Sequence, residues 1–158
     1  MKPTLEHIKI RTNYKSGDIG YLTYMHGKFY DFDPSFEFYV AETLATFYKN
    51  MDHEKERFWV AEFEGKIVGT IALKNTDGFA QLRYYLIDPE FRGIGLGRKL
   101  MDLFMDFFKN SDYKSSFLLT EERLQTAAHL YGKYGFQHVS SNQTDFGLVE
   151  KRYELVLK

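Results

Sequence analysis

Residues 88–98 read Asp-Pro-Glu-Phe-Arg-Gly-Ile-Gly-Leu-Gly-Arg, between a predicted strand that ends at Ile87 and a predicted helix that begins at Leu96. Glycines let the backbone turn sharply and come close to a ligand. The free amides at a helix start, and the helix dipole, suit an anion such as phosphate, and flanking arginines add charge-assisted hydrogen bonds. The segment therefore predicts a cradle for a phosphate or pyrophosphate group. The alternative is a glycine-rich turn that only caps the helix.

The familiar nucleotide-binding loops do not fit this segment. A dinucleotide-binding loop needs Gly-x-Gly-x-x-Gly. Counting from Gly93 places Arg98 at the third glycine, and counting from Gly95 places Leu100 there. A P-loop that ends at Gly97 would need a glycine where Arg92 stands. A nucleotide-binding domain of another kind stays open as a third hypothesis.

The chain before the loop predicts two helices and a mainly antiparallel set of strands. Its strands are joined by turns too short for crossover connections. Asp33 and Pro34 form a strong helix start, with Asp as N-cap and Pro at the first helical position. In chain order we predict a strand at 7–11, a helix from 16 to 27, a helix from 33 to 50, and strands at 57–62, 66–73 and 79–87.

After the loop, helices and strands alternate, which predicts a parallel strand pair inside a mixed sheet. The fold class is therefore α/β (α+β with a mixed sheet), and the length fits one domain over residues 1–158. In chain order we predict a helix from 96 to 109, a strand at 116–120, a helix from 121 to 133, an extended segment at 135–140, a polar loop at 141–147 and a strand at 148–157.

Composition excludes several kinds of site. The 158 residues contain no cysteine, so disulfides, thiolate metal sites and a cysteine nucleophile are excluded. The five histidines are scattered, and we expect no metal. A net charge of −1 argues against nucleic acid as a partner. No apolar run approaches a membrane span, and the N-terminus lacks the apolar core of a signal peptide. We expect a cytoplasmic protein without membrane contact.

Two patterns point to a known family. Arg92-x-x-Gly95-x-Gly97, which follows the strand end Leu86-Ile87, resembles the acetyl-CoA signature of the GNAT N-acetyltransferase superfamily. Ala127-x-x-x-Tyr131-x-x-x-Gly135-Phe136 is similar to the second signature of that family, and the order of elements fits its fold from about residue 7 to 157. More narrowly, Gly17-Asp18-Ile19-Gly20 with His26-Gly27, and Val40-Ala41-Glu42, resemble the acetyltransferase half of bacterial proteins that fuse a MarR-type DNA-binding domain to a GNAT domain.

The resemblance implies a fold with a splayed parallel strand pair and acetyl-CoA as co-substrate. It implies that free backbone groups of Leu86 and Ile87 hold the pantetheine arm, where an amide could also bind an oxyanion. It further implies that the pyrophosphate faces a backbone segment, with Arg98 assisting at the helix start. That segment consists of Arg92, Gly93, Ile94, Gly95, Leu96 and Gly97.

Tyr131 stands where the family often places a general acid that protonates the departing thiolate. The alternative is a core tyrosine, because this helix is rich in aromatic residues. Many family members carry Asn seven residues earlier, where this chain has Leu124, so that contact is absent or supplied otherwise. The general base stays open among Glu42, Glu62, Glu121, Asp31, Asp33, Glu37 and His26.

Eleven aromatic residues lie between Tyr14 and Tyr48. In the family this stretch commonly forms a wall of the acceptor site, and an aromatic, acidic wall suits a cationic amine. The alternative is a packed helix pair with a contact between two copies of the chain, a homodimer. The leading functional hypothesis is an acetyl-CoA-dependent N-acetyltransferase acting on a primary amine of a small molecule or peptide. The second is an acyl-CoA-binding sensor or interaction module without turnover.

Overall fold

A computed structural model describes residues 3–30, 33–121, 125–144 and 149–158. Its helices are α1 (Asp18–Tyr30), α2 (Pro34–Lys49), α3 (Leu96–Asn110) and α4 (Gln125–Lys133), and short 3-10 turns lie at Leu5–His7 and Pro89–Phe91. Its strands are β1 (Lys9–Arg11), β2 (Arg57–Phe63), β3 (Lys66–Thr76), β4 (Phe79–Ile87), β5 (Ser115–Glu121), β6 (Gln137–Gln143) and β7 (Val149–Val156).

One mixed sheet contains all seven strands in the order β1-β2-β3-β4-β5-β7-β6. Strands β1 to β4 are antiparallel neighbours, and β4 pairs in parallel with β5. The crossover between β4 and β5 runs through α3, as a parallel connection requires. Strand β7 inserts between β5 and β6 and is antiparallel to both. The mixed α/β class with its parallel pair is confirmed.

Several predicted boundaries differ from the structure. The predicted polar loop at 141–147 is wrong over its first residues, because β6 runs to Gln143 through pairing with β7. Glu121 ends β5 instead of starting a helix, since it pairs with Glu150 on β7. Helix α1 continues past Gly27 to Tyr30, and residue 7 belongs to a 3-10 turn instead of β1.

Each face of the sheet carries its own apolar layer. On one face α1 and α2 pack Leu22, Met25, Leu44 and Phe47 against Phe58 and its neighbours on β2 to β4. The predicted N-cap of α2 is confirmed, because the Asp33 side chain accepts a hydrogen bond from the Ser35 amide at 2.9 Å. On the other face lies α3, which buries Leu96, Leu100, Met101, Phe104, Met105 and Phe108.

A bulge interrupts β4 at Tyr84. The pairing with β3 shifts register between Thr70 and Ala72, and Tyr84 has φ of 52°, a conformation that side-chain-bearing residues rarely adopt. The buried Thr70 hydroxyl donates a hydrogen bond to the Tyr84 carbonyl at 2.7 Å. The bulge therefore places both Arg83 and Tyr84 on the α1–α2 face, where Tyr84 joins that core.

Replacing Thr70 with Val keeps the shape of this side chain and removes its hydroxyl. We expect the free energy of unfolding to fall by about 1–3 kcal/mol, because a buried carbonyl loses its partner. Urea unfolding of both proteins measures this. The control is Thr23→Val on α1, where the lost hydroxyl bonds only a helix carbonyl at 2.7 Å and the expected change is about 0.5 kcal/mol or less. Equal effects of the two substitutions would contradict this role of Thr70.

Candidate active site

The parallel strand pair separates after three residue pairs. The last pair between β4 and β5 joins Leu82 to Leu118. Beyond it, β4 continues to Ile87 along β3, while β5 continues to Glu121 along β7. A wedge-shaped opening therefore lies between residues 83–87 and 119–121, and backbone groups on its β4 side have no strand to pair with. This is the splayed pair that the family resemblance implied.

The ladder between β3 and β4 decides which backbone groups face the opening. Asp88 donates its amide hydrogen to the Val68 carbonyl at 2.8 Å, and Leu86 lies opposite Thr70. In an antiparallel ladder, successive residues direct their backbone groups alternately to the two sides. The N–H and C=O of Leu86 therefore face β3, whereas those of Ile87 face the opening. This geometry favours Ile87 over Leu86 as a backbone contact for a ligand.

The start of α3 offers a row of free amides. Gly95 is the N-cap with φ of 91°, and the Lys99 amide donates to its carbonyl at 3.0 Å. The six amides of Gly93–Arg98 find no acceptor in the described part of the chain. Gly93 also has a positive φ, of 80°. Together with the helix dipole, these amides form an anion site of the kind that pyrophosphate needs.

The predicted residues of this loop divide between solvent and core. The side chains of Arg92 and Arg98 are exposed, so both can reach a bound phosphate. The Leu96 side chain is buried under the sheet, and the Ile94 side chain packs partly against the same core. The Leu96 side chain is therefore not accessible to a ligand, and this residue could contact one only through its backbone. The loop therefore offers free backbone amides and positive charge, which together suit a phosphate group.

Gly97 is required by a neighbouring side chain as well as by the loop. A Cβ atom there would lie 2.8 Å from the Tyr85 hydroxyl oxygen. That hydroxyl donates a hydrogen bond to the Gly97 carbonyl at 2.7 Å. The contact ties β4 directly to the first turn of α3, which leaves the loop little freedom relative to the opening.

Tyr131 lies on α4 in a shell of aromatic rings. Its side chain is buried, and its ring centroid is 6.1 Å from that of Tyr85 and 6.3 Å from those of Phe136 and Tyr153. Burial raises its pKa well above the usual value, with smaller contributions from Tyr30, Tyr85 and Tyr153. The phenol therefore keeps its proton at every physiological pH, as a general acid must. Its neighbour Tyr85 lies on the strand that borders the opening.

Tyr85 and Tyr30 were not predicted as site residues, yet they join three elements around the opening. The Tyr30 hydroxyl donates to the Tyr85 carbonyl at 3.1 Å, which ties the end of α1 to β4. Burial raises the pKa of Tyr30 to about 12, and the nearby charge of Arg92 opposes this rise. The doublet Tyr84-Tyr85 was the available signal, because two large aromatics in succession break the alternation of a strand.

The candidates for a general base have different surroundings. Glu62 is engaged by Arg11 at 3.1 Å and Lys15 at 3.6 Å, and the side chain of Asp33 caps α2. The side chains of Glu37 and Glu42 are exposed on α2. Asp31 lies outside the described residues, as does Leu124, at the position where the family often has Asn. The described side chains contain no cluster that could hold a metal ion.

His26 is buried on α1, between the rings of Tyr30 and Tyr84 at 5.7 and 6.0 Å. Its Nδ1 atom lies 2.7 Å from the Leu22 carbonyl oxygen. Burial lowers its pKa, and the charge of Arg83 lowers it further. His26 is therefore neutral at pH 7 and packs beside the bulge. Glu121 lies beside the opening, at the end of β5.

The comparisons with known proteins agree with this geometry. The family model described as "Acetyltransferase (GNAT) family" matches residues 22–136. The chain belongs to the GNAT acetyltransferase family. The matched range includes the loop at 92–98, both strands that border the opening, and Tyr131. The family resemblance drawn from the two sequence patterns is thereby confirmed.

The curated relatives match over about half of this chain. N-acetylaspartate synthetase from Xenopus tropicalis is 38% identical over 85 residues, which are 52% of this chain and 31% of the relative. The uncharacterized N-acetyltransferase YjgM from Escherichia coli is 31% identical over 86 residues, 52% of each protein. The chain therefore spans between about a third and a half of the length of these relatives.

Solved structures show the same fold. An acetyltransferase from Streptococcus agalactiae superimposes with a TM-score of 0.75 at 24% identity, covering 97% of this chain and all of that one. A Bacillus anthracis acetyltransferase in complex with acetyl coenzyme A has a TM-score of 0.61 at 18% identity, covering 71% of this chain and 69% of that one. No described helix is long and apolar enough to cross a membrane.

Replacing Gly97 with Ala tests the tie between α3 and β4. We expect a loss of about 1–3 kcal/mol in the free energy of unfolding, because the new methyl group displaces the Tyr85 hydroxyl. Gly20→Ala on α1 is the matched control, since a Cβ there meets nothing within 4 Å and should stabilise the helix by up to about 1 kcal/mol. Thermal unfolding measures both. A neutral Gly97→Ala protein would show that the contact is dispensable.

Proposed function

We propose that this chain is an N-acetyltransferase that moves an acetyl group from acetyl-CoA to a primary amine of a small molecule or peptide. One observation carries the proposal. The splayed strands and the free amides before and within the first turn of α3 border one opening, and Tyr131 packs against the ring of Tyr85 on the strand beside that opening. A glycine loop alone suits any phosphate, but this combination suits a phosphate-bearing thioester whose far end reaches between two strands.

Different parts of the chain bind different parts of acetyl-CoA. The amides of Gly93–Arg98 hold the pyrophosphate, and exposed Arg92 and Arg98 add positive charge. The backbone of Ile87, which faces the opening, holds the pantetheine arm and offers an amide to the oxyanion that forms on the attacked carbonyl. When bound, acetyl-CoA supplies a thioester carbonyl that is open to attack by an amine.

Tyr131 acts at the leaving group. As the amine nitrogen forms its bond to the acetyl carbon, the carbon–sulfur bond breaks and leaves a thiolate, whose pKa as a thiol is near 8.5. The Tyr131 hydroxyl gives its proton to this sulfur, and the proton that the amine loses returns the phenolate to phenol through solvent. The raised pKa of Tyr131 makes the phenolate a strong base, so it regains a proton readily.

The relatives support this assignment by their names. N-acetylaspartate synthetase, camello and YjgM are all named as acetyltransferases or as the maker of an N-acetylated product. We carry to this chain only the common element, transfer of an acetyl group to an amine. The lack of cysteine supports a cytoplasmic location. Exposed aromatic residues of α1 and α2, such as Tyr24 and Phe38, support a homodimer contact.

Replacing Tyr131 with Phe should lower kcat by about 100-fold or more and leave the KM for acetyl-CoA nearly unchanged, because only the proton donor is lost. Thiol release measured with a colorimetric reagent gives both constants. Tyr134→Phe, in the turn directly after α4, is the control. The hydroxyl removed there donates to Asp102 at 2.8 Å near the surface, so kcat should stay within about twofold. An unchanged kcat in Tyr131→Phe would end the assignment of Tyr131 as acid.

The pH profile gives an independent prediction. An acid works only while it holds its proton, and burial raises the pKa of Tyr131 well above its usual value of 10.0. At saturating substrates, kcat should therefore show no falling limb between about pH 7 and 9.5. A descending limb in this range that disappears in Tyr131→Phe would place the pKa of this phenol far lower and contradict the burial argument.

Two experiments test the proposed function as a whole. Thermal shift with acetyl-CoA, NAD and ATP tests the cofactor, and we expect stabilisation by acetyl-CoA at concentrations where the other two have little effect. Thiol release from acetyl-CoA with a panel of primary amines tests turnover. Stabilisation without release for any amine would favour an acyl-CoA-binding sensor, and stabilisation by NAD or ATP alone would refute the acetyl-CoA site.

A further inference from the structure

A positive and a negative side chain lie on two different strands beside the opening. Arg83 is the first residue of β4 beyond its last pair with β5, so it stands where the two strands separate. Glu150 is the second residue of β7 and pairs with Glu121, the last residue of β5. Arg83 therefore borders the splayed region from β4, and Glu150 lies across the end of β5 from it, beside the last residue of that strand.

Arg83 is held in place by aromatic residues. Its guanidinium carbon lies 4.7 Å from the ring centroid of Tyr84 and 5.8 Å from that of Tyr39, and its Nη2 donates to the Tyr39 hydroxyl at 3.1 Å. The two rings fix the plane of the guanidinium, and the hydrogen bond to Tyr39 uses one of its five N–H donors. The remaining donors include the paired arrangement that a carboxylate binds with two hydrogen bonds.

Neither charge has a partner of opposite sign at contact distance. Within the described ranges, Arg83 and Glu150 each lack an ion pair at or below 4.0 Å, while Arg11 pairs with Asp18 at 2.8 Å and Arg152 with Glu154 at 2.7 Å. Arg83 and Glu150 are nevertheless close enough to interact. Burial raises the pKa of Glu150, and the charge of Arg83 partly opposes that rise.

Two half-buried charges kept apart are costly without a ligand, because each loses part of its hydration and neither has an oppositely charged group in contact with it in the described part of the chain. A molecule that carries an ammonium and a carboxylate a few ångströms apart could fill both needs at once. A simple alkylamine could satisfy only the glutamate, and the N-terminus of a peptide has no carboxylate beside its amine. The arrangement thus favours a zwitterion.

We propose that the acceptor is a free amino acid, whose carboxylate binds Arg83 and whose ammonium is held by Glu150. This deepens the proposed function and rests on it, because it concerns the acceptor side of the same opening. Arg83 and Glu150 then determine specificity: they select a substrate whose amine and carboxylate are neighbours. The aromatic backing by Tyr39 and Tyr84 keeps the guanidinium in the required plane.

The test uses the full chain and matched acceptor pairs that differ only in the carboxylate, namely phenylalanine with phenethylamine, lysine with cadaverine and leucine with isopentylamine. Thiol release from acetyl-CoA is measured for each. We expect kcat/KM to be higher by about 10- to 100-fold for the preferred amino acid than for its decarboxylated partner, the scale of a charge-assisted hydrogen-bond pair. Equal values across the pairs would overturn the inference while leaving the proposed function intact.

Variants assign the effect to the two residues. Arg83→Gln should raise the KM for the preferred amino acid by about 10- to 100-fold. The KM for the decarboxylated amine and the KM for acetyl-CoA should both stay unchanged. Arg83→Lys should restore part of the preference. Glu150→Gln should raise the KM of both members of a pair. The control is Arg57→Gln, because Arg57 also stacks on a ring, with its guanidinium carbon 4.7 Å from the Phe107 centroid, but bonds the Glu56 and His53 carbonyls away from the opening.

If no acceptor is acetylated, the proposed function fails, and binding then decides the inference separately. Thermal shift of the CoA-saturated protein is measured with each free amino acid and each matched amine. Stabilisation by an amino acid that is lost in Arg83→Gln supports the inference even without turnover. The absence of stabilisation by every free amino acid overturns it.

Discussion

The end of the β4–β5 pairing at Leu82 is the constraint on which the rest of the site depends. A continuous parallel pair would leave no free backbone and no opening. The bulge at Tyr84 accompanies this separation. Holding Tyr84 at φ of 52° lowers the free energy of unfolding by about 1–3 kcal/mol. The Thr70 hydroxyl on the Tyr84 carbonyl and the packing of its ring against Phe47 and Phe58 offset that cost.

Hydroxyl groups from three elements hold the opening in one shape. Thr70 on β3 and Tyr30 on α1 bond the carbonyls of Tyr84 and Tyr85, and the Tyr85 hydroxyl bonds the Gly97 carbonyl at the start of α3. Each of these bonds joins a separate element to the bulge. The glycine loop, the splayed strand and the end of α1 are therefore tied to one another, and the ring of Tyr85 packs against that of Tyr131.

Local signals carried most of what the sequence predicted correctly. The Asp33-Pro34 start of α2, the extent of α3 and the glycine loop each depend on a few neighbouring residues, and the structure contains all three. Helix α1 was predicted too short because Gly27 suggested an end. The contacts of Tyr30 with His26, Phe36 and the Tyr85 carbonyl outweigh the cost of about 1 kcal/mol for that glycine.

Contacts between distant segments account for what the sequence did not show. Polar Ser141 and Asn142 belong to β6 only because β7 lies beside them, and no local pattern indicates this pairing. The same holds for the tie between Tyr85 and Gly97 and for the approach of Arg83 to Glu150. The family resemblance predicted that Ile87 and Tyr131 belong to the site. That the backbone groups of Leu86 face β3, away from the opening, follows only from the β3–β4 register.

Hydrogen–deuterium exchange with and without saturating acetyl-CoA tests the central claim, that one ligand spans the splayed strand and the start of α3. We expect slower exchange in two separate segments, the amides of Gly93–Arg98 and those at the end of β4 that include Ile87, since both are free before binding. The exposed edge strand β6 should be unchanged. Protection of the loop alone, with no change at the end of β4, would contradict the account.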